Sequence, residues 1–323
     1  MIVLKFGGTS VADPERIREA MRIALLQPAP RVVVVSAASG VTNLLLDAAR
    51  LAADGSAEAM QAAVDEIHRR HDAILEAIPD LAEQQEARKR VAELHGRLDI
   101  ALQAIAQAGE ISAAMSDRVV STGEKCLSTM LAATMRADGH PAEAVFADTV
   151  IATDERHGTA RPDRPRTRAA AQHRIVPLLD AGKTAVVTGF IGFAPDRSTT
   201  TLGRGGSDYS ATLLGAALDA DEVQIWTDVP GVLSADPRKV KTARVVPHVS
   251  FDEAQELAHF GAKVLHPRTI RPAVVRNIPV RILSTFEPGN PGTVVTKDAE
   301  GDQMKAVTAL RGLRSEEHTS ELQ

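Results

Sequence analysis

The chain has 323 residues, 44% of them hydrophobic and 24% charged, an ordinary globular balance with room for one large α/β domain or two smaller ones. A net charge of -5 and an aromatic content of only 3% exclude a basic nucleic-acid surface and base-stacking platforms. The single cysteine, Cys126, excludes an intrachain disulfide and fits a reducing cytoplasm; no apolar run approaches the roughly 20 residues of a membrane helix, and Lys5 interrupts the N-terminal run too early for a signal peptide.

Ile2 to Phe6 reads as a buried strand running into Gly7-Gly8. Asp13 and Pro14 then open a helix, as N-cap and first helical residue, with Ile17, Met21, Ala24 and Leu25 on its apolar face. Arg31 to Val35 is a valine run of the kind buried in parallel sheets, and it empties into a small-residue loop, Ser36 to Gly40. From Val41 to Ala137 the composition turns Ala-, Leu-, Glu- and Gln-rich with helical period, and breaks near Asp54-Gly55, Pro79 and Gly109 divide it into several helices.

Strands resume at Glu143 to Phe146 and Thr184 to Thr188, with an Arg- and Pro-rich surface loop expected over Thr159 to Arg168. Ser207 is read as the cap of a helix through Leu218, followed by a strand from Glu222 to Trp226. Ser250-Phe251-Asp252-Glu253 is a capping box for a helix ending at Gly261, and another helix follows Pro267. The last strands lie near Val280 to Leu283 and Thr293 to Thr296. This alternation predicts an α/β fold of three layers, α/β/α, around a mainly parallel sheet, with an added helical region. Ligands in such folds bind beyond the carboxyl ends of the strands.

Four loops stand at those ends. Lys5-Phe6-Gly7-Gly8-Thr9-Ser10 is either a phosphate cradle with a lysine charge beside it or a common turn. Ser36 to Asn43 offers hydroxyls at the mouth of a strand, but taken alone it reads as a plain strand-to-helix turn. Thr199 to Tyr209 sets Arg204 among three glycines at a helix N-terminus, which suits an anion. Trp226 to Leu233, with Asp236-Pro237-Arg238 after it, is either a nucleotide loop or a Pro-Gly turn. There is no G-x-x-x-x-G-K-[ST], no G-x-G-x-x-G after a strand and no H-E-x-x-H. His68 and His71 read as solvated residues of a polar helix and Cys126 as a small core residue, so no protein-held metal is assigned.

Taken in order, Lys5 to Ser10, Ser36 to Asn43, Ser121 to Glu124, Gly189 to Gly192, Thr200 to Tyr209, Trp226 to Gly231 and Gly261 to Pro267 resemble the amino acid kinase family, and within it the aspartate kinases. The resemblance implies a catalytic domain over residues 1–300 that uses ATP and Mg²⁺ to phosphorylate the side-chain carboxylate of aspartate. It implies that Lys5 stabilises the phosphoryl group in flight and that Asp208 orients Lys5. Ser36, Thr42, Glu124, Arg204 and Ser207 would hold aspartate. Gly7, Gly8, Thr227, Asp228, Leu233, Arg238 and Lys263 would contact the nucleotide. Leu233 stands where the family often carries tyrosine; leucine packs on a base or ribose but cannot stack or donate.

Residues 301–313 resemble the opening strand of the family's regulatory ACT domain. Residues 314–323 have no periodicity, resemble the conceptual translation of a sequencing-adapter oligonucleotide, and are set aside as non-native. On this reading the natural protein continues beyond Leu313, and homo-oligomers are expected only of the full-length form. A fusion to homoserine dehydrogenase stays open. The competing readings are another amino acid kinase acting on a different carboxylate or on carbamate, and a non-catalytic ligand sensor on the same fold. The Arg204-Gly-Gly-Ser-Asp208 run favours aspartate, and retention of Lys5, Glu124, Arg204 and Asp208 speaks against the sensor.

Overall fold

The structure is a computed structural model and describes residues 1–259 and 267–298. The expected ACT strand, the C-terminal tail and the Gly261 to His266 part of the last motif lie outside the described residues.

The chain begins with β1 (Ile2–Phe6), α1 (Pro14–Leu26) and β2 (Arg31–Val35). A run of four helices follows: α2 (Val41–Ala53), α3 (Ala57–Glu76), α4 (Leu81–Ala108) and α5 (Ala113–Ala137). Next come β3 (Ala142–Val145), α6 (Arg164–Arg174), α7 (Val176–Asp180), β4 (Thr184–Thr188) and a small antiparallel hairpin, β5 (Ile191–Phe193) with β6 (Thr199–Thr201). The described part closes with α8 (Gly206–Ala217), β7 (Glu222–Thr227), β8 (His248–Ser250), α9 (Phe251–His259), α10 (Pro267–Arg276), β9 (Val280–Ser284) and β10 (Thr293–Thr296). Eight strands form one sheet in the order β3-β4-β2-β1-β7-β9-β10-β8; the pairings are parallel except that of β9 with β10.

Strand periodicity explains the layers. Leu4, Phe6, Val33 and Val35 enter a core with α1 and the four-helix run, whereas Val3, Val32 and Val34 enter a second core with α6, α8 and α10. Alternate residues of each strand thus feed opposite faces, as the period of two requires. A strand buried on both faces must be apolar throughout, which is why β2 is an unbroken valine run. The expected three-layer fold with a mainly parallel sheet and an added helical region is therefore the observed one.

Helix ends follow local chemistry where the sequence supplies it. Asp13 accepts a hydrogen bond from the Arg16 N–H, and Ser250 and Glu253 exchange the two bonds of a capping box. Three expectations need correcting. The stretch predicted as a loop over Thr159 to Arg168 becomes helical at Arg164, because Asp163 caps Arg166 N–H and Pro165 suits the first turn. Ser207 is not the cap of α8: Gly205, with φ of 70°, takes that place, and Ser207 lies in the first turn. His71 is not solvated but fully buried, and His68 is half-buried. The hairpin β5–β6 and strand β8, each strand only three residues long, are additions that periodicity does not reveal. Among the described residues, no helix is long and apolar enough to cross a membrane.

Candidate active site

The site begins with strand alternation. Lys5 shares the face of β1 occupied by Val3, the face that meets α8, and the first turn of α8 carries Asp208. Lys5 Nζ stands 2.7 Å from Asp208 Oδ1, with the two side chains 10% and 20% exposed. A charge this far from water requires a partner, and Asp208 supplies it.

Glycines allow the surrounding loops to converge. A Cβ on Gly8 would lie 2.9 Å from the Ala37 carbonyl oxygen, so the first two loops approach closer than any side chain permits. The Ser39 N–H donates to the Gly8 carbonyl across that contact at 3.2 Å. At Gly189 an added Cβ would lie 2.7 Å from Ser207 Cβ, so the loop after β4 also requires a bare backbone against α8. Ser36 Oγ then donates to Ser207 Oγ at 2.9 Å, and Arg70 of α3 donates to the Ser39 carbonyl at 2.6 Å, which fixes the second loop from outside.

The result is a cavity of about 480 Å³ at the carboxyl ends of the central strands. Its wall contains Lys5, Ser36, Thr42, Glu124, Arg204, Ser207 and Asp208, all seven residues expected to be catalytic or to bind the substrate. Phe190, held at φ of 70°, completes the wall together with the glycines around Arg204.

The charges are unevenly placed. Glu124 of α5 is buried, and burial pushes its carboxyl up to about 7, against the opposing effect of a hydrogen bond from the Ala37 backbone. One of its oxygens, Oε2, makes no hydrogen bond among the described residues. A carboxylate in that situation is poised to receive a cation. Arg204 is exposed at the cavity, with no carboxylate within ion-pair reach among the described residues, so its planar fork is available to an incoming anion. Replacing Arg204 with lysine is expected to raise the KM for a carboxylate substrate about ten- to a hundredfold with kcat nearly unchanged, because a point charge cannot reproduce the bidentate fork. Steady-state kinetics check this, and an unchanged KM removes Arg204 from the substrate site.

The residues expected to hold a nucleotide are less concentrated. Gly7 N–H donates to the Trp226 carbonyl at 3.1 Å, tying the loop after β1 to the end of β7, where Thr227 Oγ1 donates to Asp228 Oδ1. Gly7, Gly8, Thr227 and Asp228 thus lie at the carboxyl ends of the adjacent central strands β1 and β7, outside the cavity wall. Leu233 is half-buried and bridges to Val245. Arg238 is 83% exposed and paired with Asp236, and the structure does not bring it into the cavity. Lys263 lies outside the described residues.

One supporting residue was missed from the sequence. Asp117, buried near the start of α5, accepts hydrogen bonds from the backbone N–H groups of Gly158 and Thr201 and from the Thr201 hydroxyl, and pairs with His157. It anchors the strand that leads into the Arg204 loop. Nothing in its neighbours along the chain announces that role, since its partners are distant in sequence.

Residues 1–284 match the amino acid kinase family. The chain belongs to this family. Within the amino acid kinases it is similar to lysine-sensitive aspartokinase 3 of Escherichia coli (strain K12), with 39% identity over 311 residues, 96% of this chain and 67% of that protein. It is likewise 39% identical over 313 residues to the chloroplastic aspartokinase 3 of Arabidopsis thaliana, covering 94% of this chain and 54% of that one. The crystal structure of E. coli aspartokinase III in complex with aspartate and ADP, in the R-state, superimposes with a TM-score of 0.85 and 38% identity over 93% of this chain and 65% of that one. The chain therefore spans between about half and two thirds of the length of these amino acid kinases.

Proposed function

We propose that this chain is the phosphoryl-transfer unit of an aspartate kinase, which passes the terminal phosphoryl group of ATP to the side-chain carboxylate of aspartate. The products are 4-phospho-L-aspartate and ADP, and the reaction opens the synthesis of lysine, threonine and methionine. The observation that carries this reading is the cavity that gathers the Lys5–Asp208 pair, the buried Glu124 and the available Arg204.

The chemistry asks for charge control rather than proton transfer. An aspartate side chain titrates near 3.9, so the nucleophile is already ionised at neutral pH and no general base is needed. One carboxylate oxygen attacks the terminal phosphorus, the bond to the bridging oxygen breaks, and ADP leaves with that electron pair. The obstacle is repulsion: two unit charges 4 Å apart at an effective dielectric of 20 repel by about 4 kcal/mol. Lys5 faces the cavity and offsets this, while Asp208 keeps its ammonium aimed. Glu124 receives the substrate's α-ammonium, and Arg204 receives its α-carboxylate. Ser36, Thr42 and Ser207 add hydroxyls that fix the substrate's register.

The residues fit a nucleotide and its cation. Gly7 leaves the backbone bare beside the Lys5 ammonium, where an added Cβ would lie 3.4 Å from Nζ, and the end of β7 adjoins it. Mg²⁺, when bound, would neutralise phosphate charge, carried in by the nucleotide's own oxygens with Asp208 the carboxylate at hand. Lys5 and the two glycine loops would hold the remaining phosphate oxygens.

The test is ADP release with Mg-ATP and, in separate reactions, aspartate, glutamate, acetylglutamate, carbamate or no acceptor. Release that depends on aspartate alone is expected. Release that requires another acceptor would keep the family and overturn the substrate; a folded chain silent with all of them would overturn the proposal for this chain.

A further inference from the structure

The helical region carries a cluster that the phosphoryl transfer does not use. His68 and His71 lie on α3, His95 on α4 and Cys126 on α5, so three helices meet at one point. The His95 ring stacks on both others, at centroid distances of 4.0 Å from His68 and 5.1 Å from His71. His71 Nδ1 and His95 Nε2 are 2.8 Å apart. One ligand atom from each of His71, His95 and Cys126 lies within 4.8 Å of the other two. His71 and Cys126 are fully buried, and His95 is half-buried.

The surroundings make this an expensive way to fill a core. Ile67, Ile74, Val91, Leu94 and Leu98 pack in the same helices, and another aliphatic side chain would cost nothing in hydrogen bonds. Instead, His71 Nε2 and His68 Nε2 are buried with no hydrogen-bond partner among the described residues. A buried nitrogen left without a partner forfeits the hydrogen bonds it made to water. A ligand that engages these nitrogens offsets that cost.

We infer that His71, His95 and Cys126 form a binding site for a borderline-soft transition-metal ion of the Zn²⁺ class, with His68 beside it as a further imidazole. The donor set selects the ion: a thiolate and imidazoles disfavour Mg²⁺ and Ca²⁺, which take oxygen ligands. Zinc bonds of about 2.0–2.1 Å to nitrogen and 2.3 Å to sulfur place tetrahedral donors roughly 3.3–3.8 Å apart, within side-chain adjustment of the observed spacing. Burial pushes the Cys126 thiol up, so the incoming ion displaces its proton to solvent as the metal–sulfur bond forms. His68 and His95 are half-buried, so the cluster lies near the surface of the helical region. Bound there, the ion would cross-link α3, α4 and α5. The inference does not depend on the proposed reaction.

The purified chain, reduced and stripped with a chelator, is titrated with Co²⁺ and then with Zn²⁺. One equivalent of Co²⁺ is expected to produce a thiolate-to-metal charge-transfer band, which Zn²⁺ abolishes, and Tm should rise with free Zn²⁺. Cys126→Ala should remove the band with the far-ultraviolet circular dichroism unchanged. His95→Gln, at a partly exposed position that tolerates change, should weaken binding at least tenfold and remove the Zn²⁺-dependent rise in Tm. A folded wild-type chain with no charge-transfer band would overturn the inference, as would Co²⁺ binding that both substitutions leave unchanged.

Discussion

Replacing Lys5 with alanine is expected to lower kcat by roughly a hundred- to a thousandfold, the range found when one preorganised donor to a developing charge is removed. The fold should survive, because Lys5 sits at the end of β1, where the neighbouring Leu4 and Phe6 supply the packing and Val34 and Ile225 flank it in the ladder. The KM for aspartate should change little, since Lys5 acts on the transferring group and not on the amino-acid backbone. Asp208→Asn should reproduce much of the loss by leaving the ammonium without its counter-charge. The double variant should be scarcely worse than either single one, because the pair acts as a unit. Single-turnover kinetics on the three variants decide the matter; activity within a few-fold of the parent in Lys5→Ala would sink the mechanism.

Glu124→Gln is expected to exchange function for stability. Burial holds the Glu124 carboxyl up at about 7 against an ordinary 4.5, so the folded chain binds more protons than the unfolded chain between those values. The sign follows: the group costs nothing below about pH 4.5, stability falls as pH rises towards 7, and above that a constant penalty of roughly 3 kcal/mol remains. Glutamine keeps the shape and accepts the same Ala37 bond without carrying the charge. The variant should therefore melt higher than the parent at pH 8 and equally at pH 4.5. Its KM for aspartate should rise by two orders of magnitude or more, because a buried ammonium would then face an uncharged amide. In the parent, aspartate affinity should weaken as pH falls through about 7. Thermal melts across pH together with aspartate titrations measure both effects, and a variant that gains no stability at pH 8 would refute this account of Glu124.

Much of this was legible along the chain because it rests on near neighbours. The valine run of β2 announces a strand buried on both faces; Asp13-Pro14 and Ser250 to Glu253 announce helix starts whose bonds are made within four residues. The glycine-rich loops after β1 and before α8 mark places where backbone must come close to something: an added Cβ would lie 2.9 Å from the Ala37 carbonyl oxygen at Gly8 and 2.6 Å from the Phe190 ring at Gly206. The resemblance carried by these loops together with Ser36 to Asn43 and Ser121 to Glu124 pointed to seven residues that line one cavity.

Other features depended on elements distant in sequence, and no local rule could reach them. Ser207 looked like a cap, but Gly205 took the left-handed turn, which released the Ser207 hydroxyl to meet Ser36. Asp117 is one more acid on a long helix until the β5–β6 hairpin folds onto it. His71 has charged neighbours on both sides and reads as exposed; packing of α4 and α5 over that face of α3 buries it beside His95 and Cys126. The sequence by itself determined most of the longer strands and helices and where bare backbone is needed, since propensity, capping and period are short-range; the three-residue strands β5, β6 and β8 lay below its reach. Tertiary structure alone decided which side chains lose water and which charges become partners, because burial and charge pairing are set by whatever packs across from a residue.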